Sequence, residues 1–281
     1  MSNQSVHPIN VKKALWVLGA QDPEMEAIHK LLHQHGQPVL LGIADGARCH
    51  TGNAYRLDME RYLAIAGDAF QIIWVEGGLK AGEPAGSIHV DHHKPGDYGF
   101  GAEPKMFWYA SSIGQVWFAL QTAGLVDEPP QELLLTAAAD HCLGAAYQGR
   151  CPGVDPDELM RWRVTSKARF QNLDPRQVLE RVEYAKAALL AADVVKVTLE
   201  GQEVEFRDIR QPTPVPEIPE AAARLGVNYL SGPLKSQDGR LKFTASGSPA
   251  ACRAFLEVLV EREGLKDSYG DPARGFAGAY R

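Results

Sequence analysis

Long hydrophobic runs are missing from this chain. No stretch approaches the length of a membrane span, and the polar opening, MSNQSVHPINVKK, leads straight into a short apolar strand instead of a signal-peptide core with a small-residue cleavage site. No membrane attachment is therefore expected, and the cytoplasm is the expected compartment. Cysteine is sparse: Cys49, Cys142, Cys151 and Cys252 stand apart with no CxxC pair, which argues against a zinc cluster and a disulfide framework and for reduced thiols. Positive charge is also short, with 29 Lys and Arg against 35 Asp and Glu for a net charge of −6. Sequence-independent binding of long nucleic acid needs a broad basic surface that displaces counterions, so it is disfavoured, while small phosphorylated molecules stay compatible. No internal repeat or low-complexity tract stands out.

What is present is ample core. At 281 residues and 45% apolar content the chain is sized for one large or two moderate domains. Residues 14–19 (ALWVLG), 38–44 (PVLLGIA) and 69–75 (AFQIIWV) are short apolar runs suited to strands buried on both faces. After the first, Pro23 fits an opening helical turn, and Met25, Ile28, Leu31 and Leu32 follow at helical spacing until Gly36. Asp22, Glu24 and Glu26 thereby fall at the C-terminal end of a strand, where open parallel sheets build sites, although acids there also suit the helix macrodipole. The segment after residue 44 offers Arg48, His50, Asn53 and Tyr55 for ligand recognition, and turn chemistry accounts for its Gly and Asn residues equally well. Glu76 ends the third strand beside Gly77 and Gly78.

Residues 87–97, SIHVDHHKPGD, organise the rest. Ile88 and Val90 alternate as a strand end, delivering Asp91, His92 and His93 into a loop. Three adjacent metal-binding or proton-carrying side chains in that place point to function over a His-rich solvated loop. Ser111 or Ser112 can cap a helix carrying Ile113, Val116, Trp117 and Leu120, whose aromatics read as core. Residues 131–144 form another helix, where Asp140 and His141 interrupt an Ala/Leu surface. A carboxylate there is costly unless paired or metal-bound. Helices over 155–170 and 174–192 follow, the second long enough to bridge domains. From Asp193 the pattern changes to a hairpin, a Pro-rich link, a helix ending near Gly226, two more strands and a helix over 249–263. The fold class is thus α/β: a parallel-sheet domain with flanking helices over 1–192, then a smaller α+β domain over 193–281. The closing YGDPARGFAGAYR, with Arg274 and Gly275, reads as a packed segment able to grip an anion.

These motifs resemble the DHH phosphoesterase superfamily, which includes RecJ-type exonucleases, small oligonucleotide and cyclic-dinucleotide hydrolases and manganese-dependent pyrophosphatases. The match is strongest at VDHH, Val90 to His93. The helix from Ser111 is similar to the one following that loop in the family, and LLLTAAADH to the segment bearing its last metal-binding Asp. The first motif departs: where pyrophosphatase-like members have GHxNPDxDSI, this chain has GAQDPEMEAI, placing Ala20 at the family's His and Glu24 and Glu26 at its Asp residues. The closing loop lacks the His of the family's GGGH.

The resemblance implies Mn²⁺ or Mg²⁺, one or two ions, held by Glu26, Glu76, His92 and Asp140, and by Glu24 with Glu76, in a cleft between two domains. It implies catalytic roles for Asp91 and His93, the latter as phosphate contact or general acid. Arg48, His50, Asn53, Arg274 and Gly275 would bind a small phosphorylated or nucleotide-like substrate. A homodimer is compatible, and a catalytically silent binding or partner subunit is the alternative function.

Overall fold

The computed structural model describes residues 9–66, 70–211, 215–236 and 238–281, so the polar opening through Pro8, the expected strand start at Ala69, residues 212–214 of the Pro-rich link and Gln237 lie outside the described residues. The chain forms two compact units, Met1–Ser166 and Lys167–Arg281.

In the first unit β1 (Ala14–Leu18) is buried along its whole length and leads to α1 (Pro23–Gln34). The apolar run over 38–44 divides at Gly42 into β2 (Val39–Leu41) and β3 (Ile43–Ala44), which pairs with β4 (Ala47–Arg48). Then come α2 (Glu60–Ala66), β5 (Gln71–Val75) and β6 (Ile88–Val90). β2, β1, β5 and β6 lie in that order in one parallel sheet. β1 connects to β2 on one side, while β5 connects to β6 on the other. The carboxyl ends of β1 and β5 thus flank the point where connections diverge, the usual crevice of an open α/β sheet. The register sets Leu15 beside Ile72 and Val17 beside Trp74, and this face packs on Ala44, Ala54, Leu57 and Met59. Trp16, Leu18, Ile73 and Val75 alternate to the opposite face and are equally buried.

The helices follow: α3 (Phe107–Ala110), α4 (Ser112–Thr122), α5 (Gln131–His141), α6 (Leu143–Tyr147) and α7 (Pro156–Gln171). Ser111 is the residue that caps α4, its Oγ accepting from Gly114 N–H at 3.2 Å. α1, α4 and α5 pack on one another. One proximity was hidden in the sequence: the Cys142 and Cys151 thiols are 3.1 Å apart, brought together by the turn through α6.

In the second unit α8 (Pro175–Ala191), capped by Asp174, precedes a β7 (Asp193–Leu199) and β8 (Gln202–Asp208) hairpin. The compact units divide earlier than the composition change at 193, because α8 buries Ala185 and Leu189 against Ile218, Ala221 and Ala222 of α9 (Ile218–Leu225). β9 (Tyr229–Lys235) and β10 (Leu241–Ser246) lead to α10 (Pro249–Ala254), which runs through a π-helical turn (Phe255–Leu259) into α11 (Val260–Arg262). β11 (Lys266–Asp271) and β12 (Phe276–Tyr280) complete a sheet ordered β11, β12, β10, β9, β8, β7. The glycine-rich close is therefore two strands joined by a short turn over Pro272–Arg274. Gly278 pairs with Thr244 and Tyr269, and a Cβ there would come within 2.4 Å of the Tyr269 hydroxyl oxygen, so its glycine serves packing.

Candidate metal centre

The segments that follow β1, β5 and β6 at the carboxyl edge of the parallel sheet, and the end of α5, build a single cluster. After β1 the chain turns at Gly19, whose amide donates to Val75 C=O at 2.8 Å. A Cβ on Gly19 would lie 2.0 Å from the Glu76 carbonyl oxygen, so only glycine lets the β1 and β5 ends close on each other. Glu76 itself occupies the left-handed region, φ 48°, a costly conformation for a non-glycine residue, and is held there by its N–H bond to Val90 C=O at 3.1 Å. Gly19→Ala is expected to cost about 3 kcal/mol or more in a denaturant midpoint, by backbone collision. In the same measurement Gly144→Ala, inside α6 with open space around it, should gain about 0.5–1 kcal/mol.

Asp22 caps α1, its Oδ1 accepting from Met25 N–H at 2.8 Å with Pro23 at the first helical position. Two residues on, Glu24 is 1% exposed, and its Oε1 accepts from Ile113 N–H at 3.0 Å, at the start of α4. Its Oε2 lies 3.8 Å from His92 Nε2. Glu76 Oε1 is 3.4 Å from the same nitrogen, and Asp140 Oδ2, from the last turn of α5, is 2.9 Å away. Donor atoms of Glu76, His92, His93 and Asp140 all lie within 4.8 Å of one another. Among the described residues of the first unit, the buried carboxylate and imidazole side chains are Glu24, Glu76, Asp91 and His92, all of them at this place. Charged groups reach the interior only when paired or coordinating.

Glu26 is a correction to the expected ligand set. It is exposed on α1 and stands outside the cluster, while Glu24 takes the buried position. Positions two apart on a helix differ by roughly 200° in direction, so Glu24 and Glu26 cannot both face one point. The neighbouring acid on the inward side is the cap, Asp22.

Asp91 is fully engaged by protein. Its Oδ1 accepts from His92 N–H at 2.7 Å, from His93 N–H at 3.0 Å and contacts His93 Nδ1 at 2.9 Å, while Oδ2 accepts from the Tyr55 hydroxyl at 2.7 Å. Asp91 thus shapes the loop and orients the His93 ring. From the 45–55 segment it is the Tyr55 hydroxyl that reaches this network. Arg48 Nη1 instead donates to Gly42 C=O at 2.9 Å and Leu18 C=O at 3.3 Å, bracing the β1 and β2 ends. His50 and Asn53 bond within their own turn, Asn53 Oδ1 accepting from His50 N–H at 2.8 Å. Arg274 and Gly275 lie in the second unit, Arg274 exposed in a short turn and Gly275 ending that turn at φ 74°. His141 joins the site unannounced, its Nδ1 3.1 Å from His92 Nδ1. Its only sequence signal was a second polar residue after Asp140 on an Ala/Leu helix.

The electrostatics match crowded acids. Burial, then the Asp140 and Glu76 charges, push the Glu24 carboxyl well up. Burial with Glu76 and Asp140 pushes Asp22 up to about 7. Burial opposes the charge of His92, but Asp140, Glu24 and Glu76 outweigh it and raise the imidazole. Burial also opposes Asp140's charge, and His92 outweighs it, so that carboxyl is lowered. For His93, burial acts downward and Asp91 and Glu76 overcome it. Asp91 is held down to about 2 because bonds from His93 and Tyr55 exceed its burial penalty.

Whether these residues fit a cation can be judged from unmet polar atoms. Glu24 Oε2, Glu76 Oε1 and His92 Nε2 are all buried without a hydrogen-bond partner. Buried polar atoms are rarely left so, and three converging on one point, with Asp140 beside them, fit an oxygen-rich divalent-cation site with one imidazole. Asp140 keeps 28% side-chain exposure, leaving this side of the site open.

No family model matches the chain, and no curated protein matches it. Among solved structures it is similar to "pGpG-specific phosphodiesterase - PggH from Vibrio cholrae", with 10% identity and a TM-score of 0.40 over 95% of this chain and 92% of that one.

Proposed function

We propose that the first unit is a divalent-metal phosphoesterase centre of the DHH type, acting on a small phosphorylated or nucleotide-like substrate. The observation that carries this reading is the convergence of Glu24 Oε2, Glu76 Oε1 and His92 Nε2, buried and without hydrogen-bond partners, with Asp140 Oδ2 at 2.9 Å from the imidazole. Glu24, Glu76, His92 and Asp140 would hold Mn²⁺ or Mg²⁺, with His93 and Asp22 in reach of a second ion. A cation there supplies Lewis-acid polarisation of a phosphoryl oxygen and acidifies a water for in-line attack. The protein's own groups do the rest. Asp91 accepts from His93 Nδ1–H and so favours the imidazolium, whose Nε2–H is the proton His93 would give to the leaving oxygen. Asp22, raised to about 7 by burial and the Glu76 and Asp140 charges, is a carboxylate able to take a proton from an attacking water. No helix among the described residues is long and apolar enough to cross a membrane.

The test pairs binding with turnover: Mn²⁺ titration followed by calorimetry, then hydrolysis of a panel of phosphomonoesters, phosphodiesters, pyrophosphate and short dinucleotides. Saturable binding with Mn²⁺-dependent cleavage of any member is the expected result. Absence of binding at millimolar Mn²⁺ would sink the reading.

The second reading is a catalytically silent ligand-binding protein. One observation favours it: Ala20, at the position of the family's metal-binding His, is 7% exposed and packs with Val17, Leu57 and Trp74 in the apolar cluster under the sheet. Mn²⁺ binding with no turnover across the panel would select it.

Metal affinity should fall with acid. Asp22 titrates near 7 and Glu24 well above the ordinary carboxyl range, so below neutrality the metal-free protein holds protons that a cation must displace. Affinity is expected to drop by about tenfold per pH unit per displaced proton below pH 7. Calorimetry in buffers of different ionisation enthalpy would register the released protons, and a pH-independent affinity from 6 to 8 would contradict the assignment.

A further inference from the structure

We infer that His141 is a positioning residue that locks His92 with its Nδ1 proton directed away from the acids and its Nε2 directed at them. The inference rests on the metal-site reading and adds a residue to it that the sequence motifs do not supply. The His92 imidazole has two nitrogens with different company: Nε2 faces Asp140, Glu76 and Glu24, and Nδ1 faces His141 Nδ1 at 3.1 Å. A contact between two ring nitrogens at that distance needs one proton between them. The His141 ring is also directed toward the backbone carbonyl of Ala102, which can only accept. A neutral imidazole has a single N–H, so once it is given to Ala102 the remaining nitrogen of His141 is an acceptor. His92 Nδ1 is then the donor, and in its neutral form Nε2 bears the lone pair, on the side of Glu24, Glu76 and Asp140.

Covalent geometry helps fix this arrangement. Asp140 and His141 are adjacent at the end of α5, so one helix terminus supplies both a carboxylate to Nε2 and an acceptor to Nδ1 of the same ring. The His92 and His141 rings sit 5.0 Å apart, and His93 flanks the other side at 4.3 Å, leaving the His92 ring held from two directions. A ligating imidazole whose second nitrogen has a fixed acceptor is ready in one tautomer and one orientation, and loss of such a partner ordinarily weakens metal affinity 10- to 100-fold.

The experiment uses the full chain and Mn²⁺ alone as probe. His141→Ala is expected to weaken Mn²⁺ binding by roughly 10- to 100-fold. His141→Asn, whose amide oxygen offers an acceptor close to the Nδ1 position, should stay within about threefold of the parent. On metal-free protein with ¹⁵N-labelled histidine, a through-hydrogen-bond nitrogen–nitrogen coupling between His92 and His141 is expected, and this readout does not depend on any metal. Absence of that coupling, or Mn²⁺ binding by His141→Ala equal to the parent, would overturn the inference. Failure of the underlying metal reading looks different: the parent itself would then bind no Mn²⁺ while the coupling between the rings remained.

Discussion

Asp140→Ala is expected to abolish Mn²⁺-dependent turnover and to weaken Mn²⁺ binding by at least about 100-fold, the upper end of what losing an outer-shell partner costs. The expectation follows from geometry: Asp140 is the carboxylate nearest His92 Nε2, at 2.9 Å. It is also the member of the cluster that keeps substantial solvent exposure. The fold should survive its removal, because the Asp140 side chain is 28% exposed while the buried core of α5 is made by Leu135, Ala137 and Ala138. Circular dichroism on the metal-free variant should therefore match the parent. A variant that stays folded and binds Mn²⁺ normally would remove Asp140 from the site. One that unfolds would show that the acid holds the helix end in place through His92.

Asp91→Ala is expected to act chiefly on stability, costing about 3–5 kcal/mol, the range for breaking a buried hydrogen-bonded network. Asp91 is 2% exposed and accepts from His92 N–H, His93 N–H and the Tyr55 hydroxyl, so its loss leaves several donors buried and unmet. The same carboxylate predicts an acid limb. Its folded pKa, about 2, is depressed below the ordinary value of 3.8, so its contribution is complete above about pH 4 and is lost as pH falls toward 2. That shift corresponds to about 2 kcal/mol. Urea midpoints of the metal-free parent between pH 5 and 2.5 should decline, and Asp91→Asn should decline less steeply over that window. Parallel curves would assign the acid sensitivity to other carboxylates.

Several features of the site were visible in the order of residues alone. The buried strands and their turn residues were marked by continuous apolar runs ending in glycine, and the Val90 to His93 run marked a strand delivering chemistry into a loop. Asp140 was conspicuous because a carboxylate on an Ala/Leu helix has no cheap structural explanation. The parallel sheet followed from the strand and helix alternation. The hairpin and helix of the second unit were visible too, because period-two and period-3.6 patterns are local properties of sequence.

What the sequence could not decide was direction. Glu24 and Glu26 are equivalent in composition and separated by one residue, yet only the helix phase, set by the Asp22 cap and the packing of Met25 and Ile28, turns Glu24 inward and leaves Glu26 exposed. Arg48 looked like a recognition residue and braces backbone carbonyls, since the nearest acceptors belong to strand ends far away in sequence. The glycine-rich close looked like a loop and folds as two strands joined by a short turn at Arg274, because β12 pairs antiparallel with both β11 and β10. His141 acquired a role only when α5 was laid beside the β6 loop, 49 positions from its partner His92. Residue types and their periodicity determined which elements form and which chemistry is available. The tertiary packing alone decided which side chains meet, because a contact across the sheet edge depends on the phase of a helix and the register of strands, and neither is written in local spacing.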